Sequence, residues 1–216
     1  AKEALSRLRR AIELQSDDAA SRAFLAVALA NLGDLQEAET EARKSVQSGD
    51  LPMSHVALGM VSYRNGEIER GLAEFSKAAE MAPDSPWAHH YSALALTRLG
   101  RAEEAIRDHR TAVELAPGNS EIRVAFAETL WQVGEAERAA REYRRAAERS
   151  PKNLALVGRA SHILIQVGLP DEAVELLRSL ESRVRRDQKP LLLAQLAKAL
   201  IFCGDAGEAR LAPSSW

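Results

Sequence analysis

The chain has 216 residues, 46% of them apolar and 28% charged, with a net charge of −2 at neutral pH. That length admits one large domain or two small ones, either with a sizeable core. The charge balance gives no electrostatic ground for nucleic acid or acidic lipid as a partner, and the one cysteine, Cys203, excludes an internal disulfide or a cysteine-built zinc cage.

Aromatic residues make up only 5% of the chain, and alanine and leucine dominate where strands would need β-branched and aromatic runs. The composition therefore predicts an all-α protein. The longest apolar stretch, Leu191 to Cys203, is broken by Gln195 and Lys198, so no membrane insertion is expected. The sequence opens inside a helical pattern, AKEALSRLRRAIEL, without an initiator Met. It reads as a fragment or a processed form, with any targeting signal out of view and the cytoplasm as the default expectation. The ratio of 23 Arg to 6 Lys points to a GC-rich bacterial genome.

After a first helix over 1–18, the chain repeats. Gly33, Gly66, Gly100, Gly134, Gly168 and Gly204 are spaced by 33, 34, 34, 34 and 36 residues. Five residues after each comes a small residue: Ala38, Gly71, Ala105, Ala139, Ala173 and Ala209. Pro83, Pro117 and Pro151 form a third series in the same phase. Each repeat reads as two helices. The first carries apolar or small residues at helical spacing, as at Phe126, Thr129, Leu130 and Val133, and ends at the glycine. The second starts with acids that oppose the helix dipole, such as Glu67 and Glu69, Glu103 and Glu104, or Asp171 and Glu172, and it stops before the proline. The repeats fall at 19–51, 52–85, 86–119, 120–153 and 154–187. A two-residue-longer junction with Arg183, Arg185, Arg186 and Lys189 reads as a loop or shifted turn. A degenerate repeat follows at 190–211, where Pro213 shortens the last helix.

Leu58, Gly59, Gly71, Phe75, Ala78 and Pro83 in the second repeat, and Ala127, Leu130, Ala139, Tyr143, Ala146 and Pro151 in the fourth, resemble the tetratricopeptide repeat (TPR) pattern. The resemblance covers nearly the whole chain. It implies an α-solenoid, a right-handed superhelix of antiparallel helix pairs, with 1–18 as an isolated second helix and the first helices, A, lining an inner wall. Small residues on helix A (Ala26, Gly59, Ala93, Ala127, Ser161, Ala197) then meet small residues on helix B at close range, and stability comes from stacking.

In the family, places 2, 5, 9, 12 and 13 of a repeat face the groove. The candidate partner-binding residues are therefore Met53, Val56, Met60, Tyr63 and Arg64, then Trp87, His90, Leu94 and Arg98, with Tyr91 added as an aromatic anchor at place 6. In later repeats they are Glu128, Trp131, Gln132, Arg159 and His162. Aromatics and methionines suit an anchor site. Arg64 and Arg98, with Glu128 opposite, are placed to set the direction of a bound peptide. The alternative is that Trp87 and Trp131 only pack between neighbouring helices A. The basic and Asn residues with which some TPR domains clamp a C-terminal carboxylate are missing from all four possible windows, so an extended or helical segment with apolar anchors is expected instead.

Catalytic chemistry is not expected. His89 and His90 diverge by about 100° on a helix and cannot chelate together. His55 and His89 stand at the family's Trp site, and His109 at its Phe site, so His89 and His109 are predicted to meet inside one repeat. No phosphate loop, HExxH, GxSxG or dinucleotide fingerprint occurs. Arg138, Arg141, Arg145 and Arg149, interleaved by Glu142 and Glu148, read as a solvated face with intrahelical pairs.

The expected function is a non-catalytic adaptor that holds a peptide segment of a partner protein, with no cofactor and no metal. A second reading is a substrate-recruiting arm of a larger enzyme such as a transferase or hydroxylase. Nucleic-acid binding is a third, with Arg138 to Arg149 as its surface. Self-association through the exposed terminal helices is also expected.

Overall fold

The computed structural model describes residues 2–15 and 18–204; Ala209 and Pro213, the expected marks of a last helix B, lie outside the described residues. The described residues are helical and divide into two compact bodies, Ala1–Leu115 and Ala116–Trp216.

The first body opens with α1 (Lys2–Leu14). Three hairpins follow: α2 (Ala19–Leu32) with α3 (Leu35–Ser48), α4 (Pro52–Arg64) with α5 (Ile68–Met81), and α6 (Pro86–Arg98) with α7 (Ala102–Leu115). The second body holds α8 (Ser120–Gln132) with α9 (Ala136–Arg149) and α10 (Leu154–Gln166) with α11 (Pro170–Leu180). A 3₁₀ turn at Arg186–Gln188 then leads into α12 (Lys189–Phe202). That turn is where the sequence has its two extra residues.

The turn between the two helices of a hairpin shows why the glycines recur. Gly66 has φ +86°, and its N–H donates to Tyr63 O at 3.2 Å, while the Glu67 N–H reaches back to Ser62 O at 2.9 Å. This closure needs a left-handed residue after the helix, which glycine adopts without a Cβ penalty. Helices A start at side-chain caps or prolines, and so does α11. Asn119 Oδ1 accepts from Glu121 N and Ile122 N at 3.0 and 3.2 Å, and Pro52, Pro86 and Pro170 open α4, α6 and α11.

Within a hairpin the two helices touch through small residues. Ala26, Ala93 and Ala127 on helices A, and Ala38, Ala105 and Ala139 on helices B, are fully buried. In the second repeat both positions are glycine, and the backbones come close there. A Cβ on Gly59 would lie 2.5 Å from Phe75 Cε1 and 3.0 Å from the Gly71 carbonyl oxygen. Larger residues fill the space between successive hairpins. Leu25, Leu29, Met60, Val61 and Phe75 pack together in the first body, and Leu5, Leu8 and Ile12 of α1 close that cluster. In the second body one core runs from Ala127 through Tyr143, Leu164 and Leu177 to Leu200.

A second regularity lies at the family's Trp site. Here a base on helix A faces an acid 19 residues later on helix B. Arg22 meets Glu41 at 2.5 Å, His55 meets Glu74 at 2.6 Å, His89 lies 3.7 Å from Asp108, and Arg123 meets Glu142 at 2.6 Å. Burial pushes the Glu41 carboxyl up, but hydrogen bonds from Lys44 and Arg22 outweigh it and hold the group below its ordinary value. The next repeat uses Val157 and Leu176 instead, both fully buried. The site tolerates either solution because charge attraction in a buried pair roughly offsets desolvation, and an aliphatic pair avoids both terms.

The expected meeting of His89 and His109 is not what the structure shows. His89 hydrogen-bonds Pro83 O at 3.0 Å and lies beside Asp108, whereas His109 faces His90 with ring centroids 5.7 Å apart. One residue along the helix rotates the side chain by about 100°, which is enough to exchange the two roles.

Candidate functional site

The candidate residues fall into two sets, one in each body. In the first body, Val56, Met60 and His90 are buried. Place 5, assigned to the groove, is thus part of the core in α4 and α6, and so is place 9 in α4. The helices turn these residues toward their neighbours: Val56 packs with Ala78 and Ala88, and Met60 with Leu25 and Ala95. Burial also pushes His90 down to about 4, so it is a neutral packing group.

Met53, Tyr63, Trp87, Tyr91 and Leu94 remain partly accessible, while Arg64 and Arg98 are exposed. Tyr91 stacks on buried Phe75 at 5.5 Å, and Trp87 stacks on Tyr91 at 6.0 Å. The ring series thus runs from the core outward, and packing fixes the orientation of the outer rings. The Arg98 guanidinium lies over the Tyr63 ring, 5.2 Å from its centre, while Arg64 donates to Asn31 Oδ1 at 3.0 Å. Phe24 on α2, half-exposed, was absent from the sequence reading. Its place 6, shared with Tyr91 and Arg159, was the signal that would have found it.

In the second body, Trp131 is 42% exposed; Gln132 beside it and His162 on α10, the next helix A, are exposed too. Glu128 pairs with Arg159 at 3.0 Å within this body, and Arg159 also lies 5.0 Å from the centre of the Tyr143 ring. Burial, and then the Glu128 charge, push the Tyr143 hydroxyl up to about 12. Arg159 borders a shallow concavity of about 410 Å³ lined also by Glu121, Val124, Asn153, Ala155 and Leu156. The stripe on α9 is largely neutralised: Arg138 pairs with Glu135, Arg141 with Glu137 at 3.6 Å, and Arg145 with Glu142 at 2.5 Å. Among the described residues no group of three or more His, Cys, Asp or Glu is placed to hold a metal ion, and no helix is long and apolar enough to cross a membrane.

Two tetratricopeptide repeat profiles match the chain, one over residues 1–50 and 56–120 and the other over 130–195. The chain belongs to the tetratricopeptide repeat family. As a TPR protein it is a protein-interaction module. No curated protein matches it. Among solved structures it is similar to YrrB, described as a TPR protein with an unusual peptide-binding site, at 19% identity, covering 95% of this chain and 96% of that one with a TM-score of 0.54. It is also similar to TTC0263, a thermophilic TPR protein of Thermus thermophilus, at 17% identity, with 85% and 99% of the two chains covered and a TM-score of 0.59. The Cut9–Hcn1 hetero-tetramer of APC/C gives a TM-score of 0.66 at 15% identity, over 96% of this chain and 41% of that one. At these identities the likeness is one of fold: helical hairpins stacked as a solenoid.

Proposed function

We propose that this TPR protein is a non-catalytic adaptor that holds a peptide segment of a protein partner on the exposed faces of its helices A. The observation that carries the reading is the series Phe75, Tyr91, Trp87, in which aromatic rings stacked from the core present an accessible, pre-oriented apolar surface. Such rings bury a large area on binding and lose little rotamer freedom, the profile of an interface anchor. Trp131 supplies a comparable anchor in the second body.

The test is a pull-down and a titration against whatever peptide is selected from a random library on the wild type. Trp87→Ala, Tyr63→Ala and Trp131→Ala are expected to weaken binding by about 30-fold at the dominant anchor, a hot-spot-sized loss of about 2 kcal/mol. Circular dichroism checks that helicity is retained. Undiminished binding by the triple variant refutes the proposal.

A further inference from the structure

Among the described residues, two cations on helices A of the first body have no carboxylate in ion-pair reach. Arg64 and Arg98 occupy the same place in successive repeats, at the last turns of α4 and α6. Arg64's partner is the neutral Asn31 amide oxygen, and Arg98's is the face of Tyr63. On α9, by contrast, Arg138, Arg141 and Arg145 each have a glutamate. Both guanidiniums also sit in the last turn of their helices, where a cation offsets the helix dipole.

Resting on the adaptor reading above, we infer that the segment bound by the first body is acidic: a short stretch of a partner protein that sets an apolar side chain against Tyr91 and Trp87 and carboxylates against Arg64 and Arg98. Three features favour this occupant. A guanidinium lying on an aromatic ring is partly desolvated and keeps its N–H edge free for a carboxylate, which it takes in bidentate fashion. A second guanidinium stands one repeat away, also without an ion pair to a described acid. The apolar and basic subsites are also set apart: Tyr91 and Arg98 lie seven residues apart on α6, about 10 Å along the axis. An extended segment covers that in about three residues, so the acids belong about three residues from the apolar anchor.

The experiment is selection of a displayed random dodecapeptide library on the full chain and on the double variant Arg64→Gln/Arg98→Gln. Both arginines are exposed, and circular dichroism confirms that the variant keeps its helicity. Peptides selected on the wild type are expected to be enriched in Asp and Glu near an apolar residue. The double variant should still select apolar residues but lose the acidic enrichment. A labelled peptide from the wild-type set should bind the variant at least ten-fold more weakly, and its binding to the wild type should fall as salt rises from 50 to 500 mM. Selected peptides without acidic enrichment, or with enrichment unchanged in the variant, overturn the inference and leave the adaptor reading standing. If no peptide is selected on either protein, both fall. Salt-sensitive binding of a single-stranded RNA probe that depends on Arg64 and Arg98, with no acidic peptide, also overturns the inference.

Discussion

The Gly59→Ala variant tests the close approach of helices in the second repeat. In an isolated helix the substitution stabilises by up to about 1 kcal/mol, because glycine loses more backbone freedom on folding. In this protein the new methyl group would sit 2.5 Å from Phe75 Cε1 and 2.6 Å from Cδ1, and 3.0 Å from the Gly71 carbonyl oxygen. Ordinary contacts between carbon atoms are about 3.5–4 Å, so the ring or the backbone must move by about 1 Å. Phe75 is buried and stacked on Tyr91, and the Gly71 oxygen belongs to a helix. Overpacking of this kind costs about 1–3 kcal/mol, so the net expectation is destabilisation by about 1–2 kcal/mol. For a chain of this size that is a fall in melting temperature of about 3–6 °C. Thermal and urea unfolding followed at 222 nm measure it. Adding Phe75→Leu removes the nearest ring atoms, and the double variant should recover at least half of the loss relative to Phe75→Leu alone. A rise in melting temperature for Gly59→Ala would show that helix propensity outweighs the contact and that the glycine pair does not set the spacing of α4 and α5.

Arg123→Met leaves Glu142 buried with Arg145 as its remaining partner, and urea unfolding should show a loss of about 3 kcal/mol. Arg123→Leu combined with Glu142→Leu copies the solution at Val157 and Leu176 and should fall within about 1 kcal/mol of the wild type or exceed it; a loss as large as that of the single variant would contradict the account of the Trp site. Burial pushes His90 down to about 4 and His109 to about 3, the latter helped by His90. Both are neutral when folded and protonate on unfolding below about pH 6.5, so their contribution is whole above that pH and shrinks as pH falls from 6.5 toward 4. His109→Phe should flatten the decline of melting temperature between pH 7 and pH 5; parallel declines would refute the assignment. Asn119→Ala removes the bonds to Glu121 N and Ile122 N and should cost about 1 kcal/mol, read as a lowered urea midpoint.

The hairpins were legible in the sequence because their determinants are local. A glycine at φ near +80° closes each A–B turn, prolines end three of the repeats, and small residues repeat where two backbones must come together. Each of these is a one-residue requirement, so it recurs as a one-letter signal. The candidate wall was less legible. The family's groove-facing places, carried over by resemblance, put Val56, Met60 and His90 with Trp87 and Arg98, yet the first three are core and the last is exposed. Exposure on a helix depends on how the neighbouring hairpins lean on it, and a rotation of one residue, about 100°, reverses the answer, as His89 and His90 show. Pairings were hidden for the same reason. Nothing in the composition separates Arg64, which has no acid beside it among the described residues, from Arg123, whose acid stands 19 residues away on the facing helix. Spacing along the chain determined which helices pair; only the packed arrangement decided which charges are neutralised and which rings are left accessible, because both follow from distances between helices that no local sequence signal encodes.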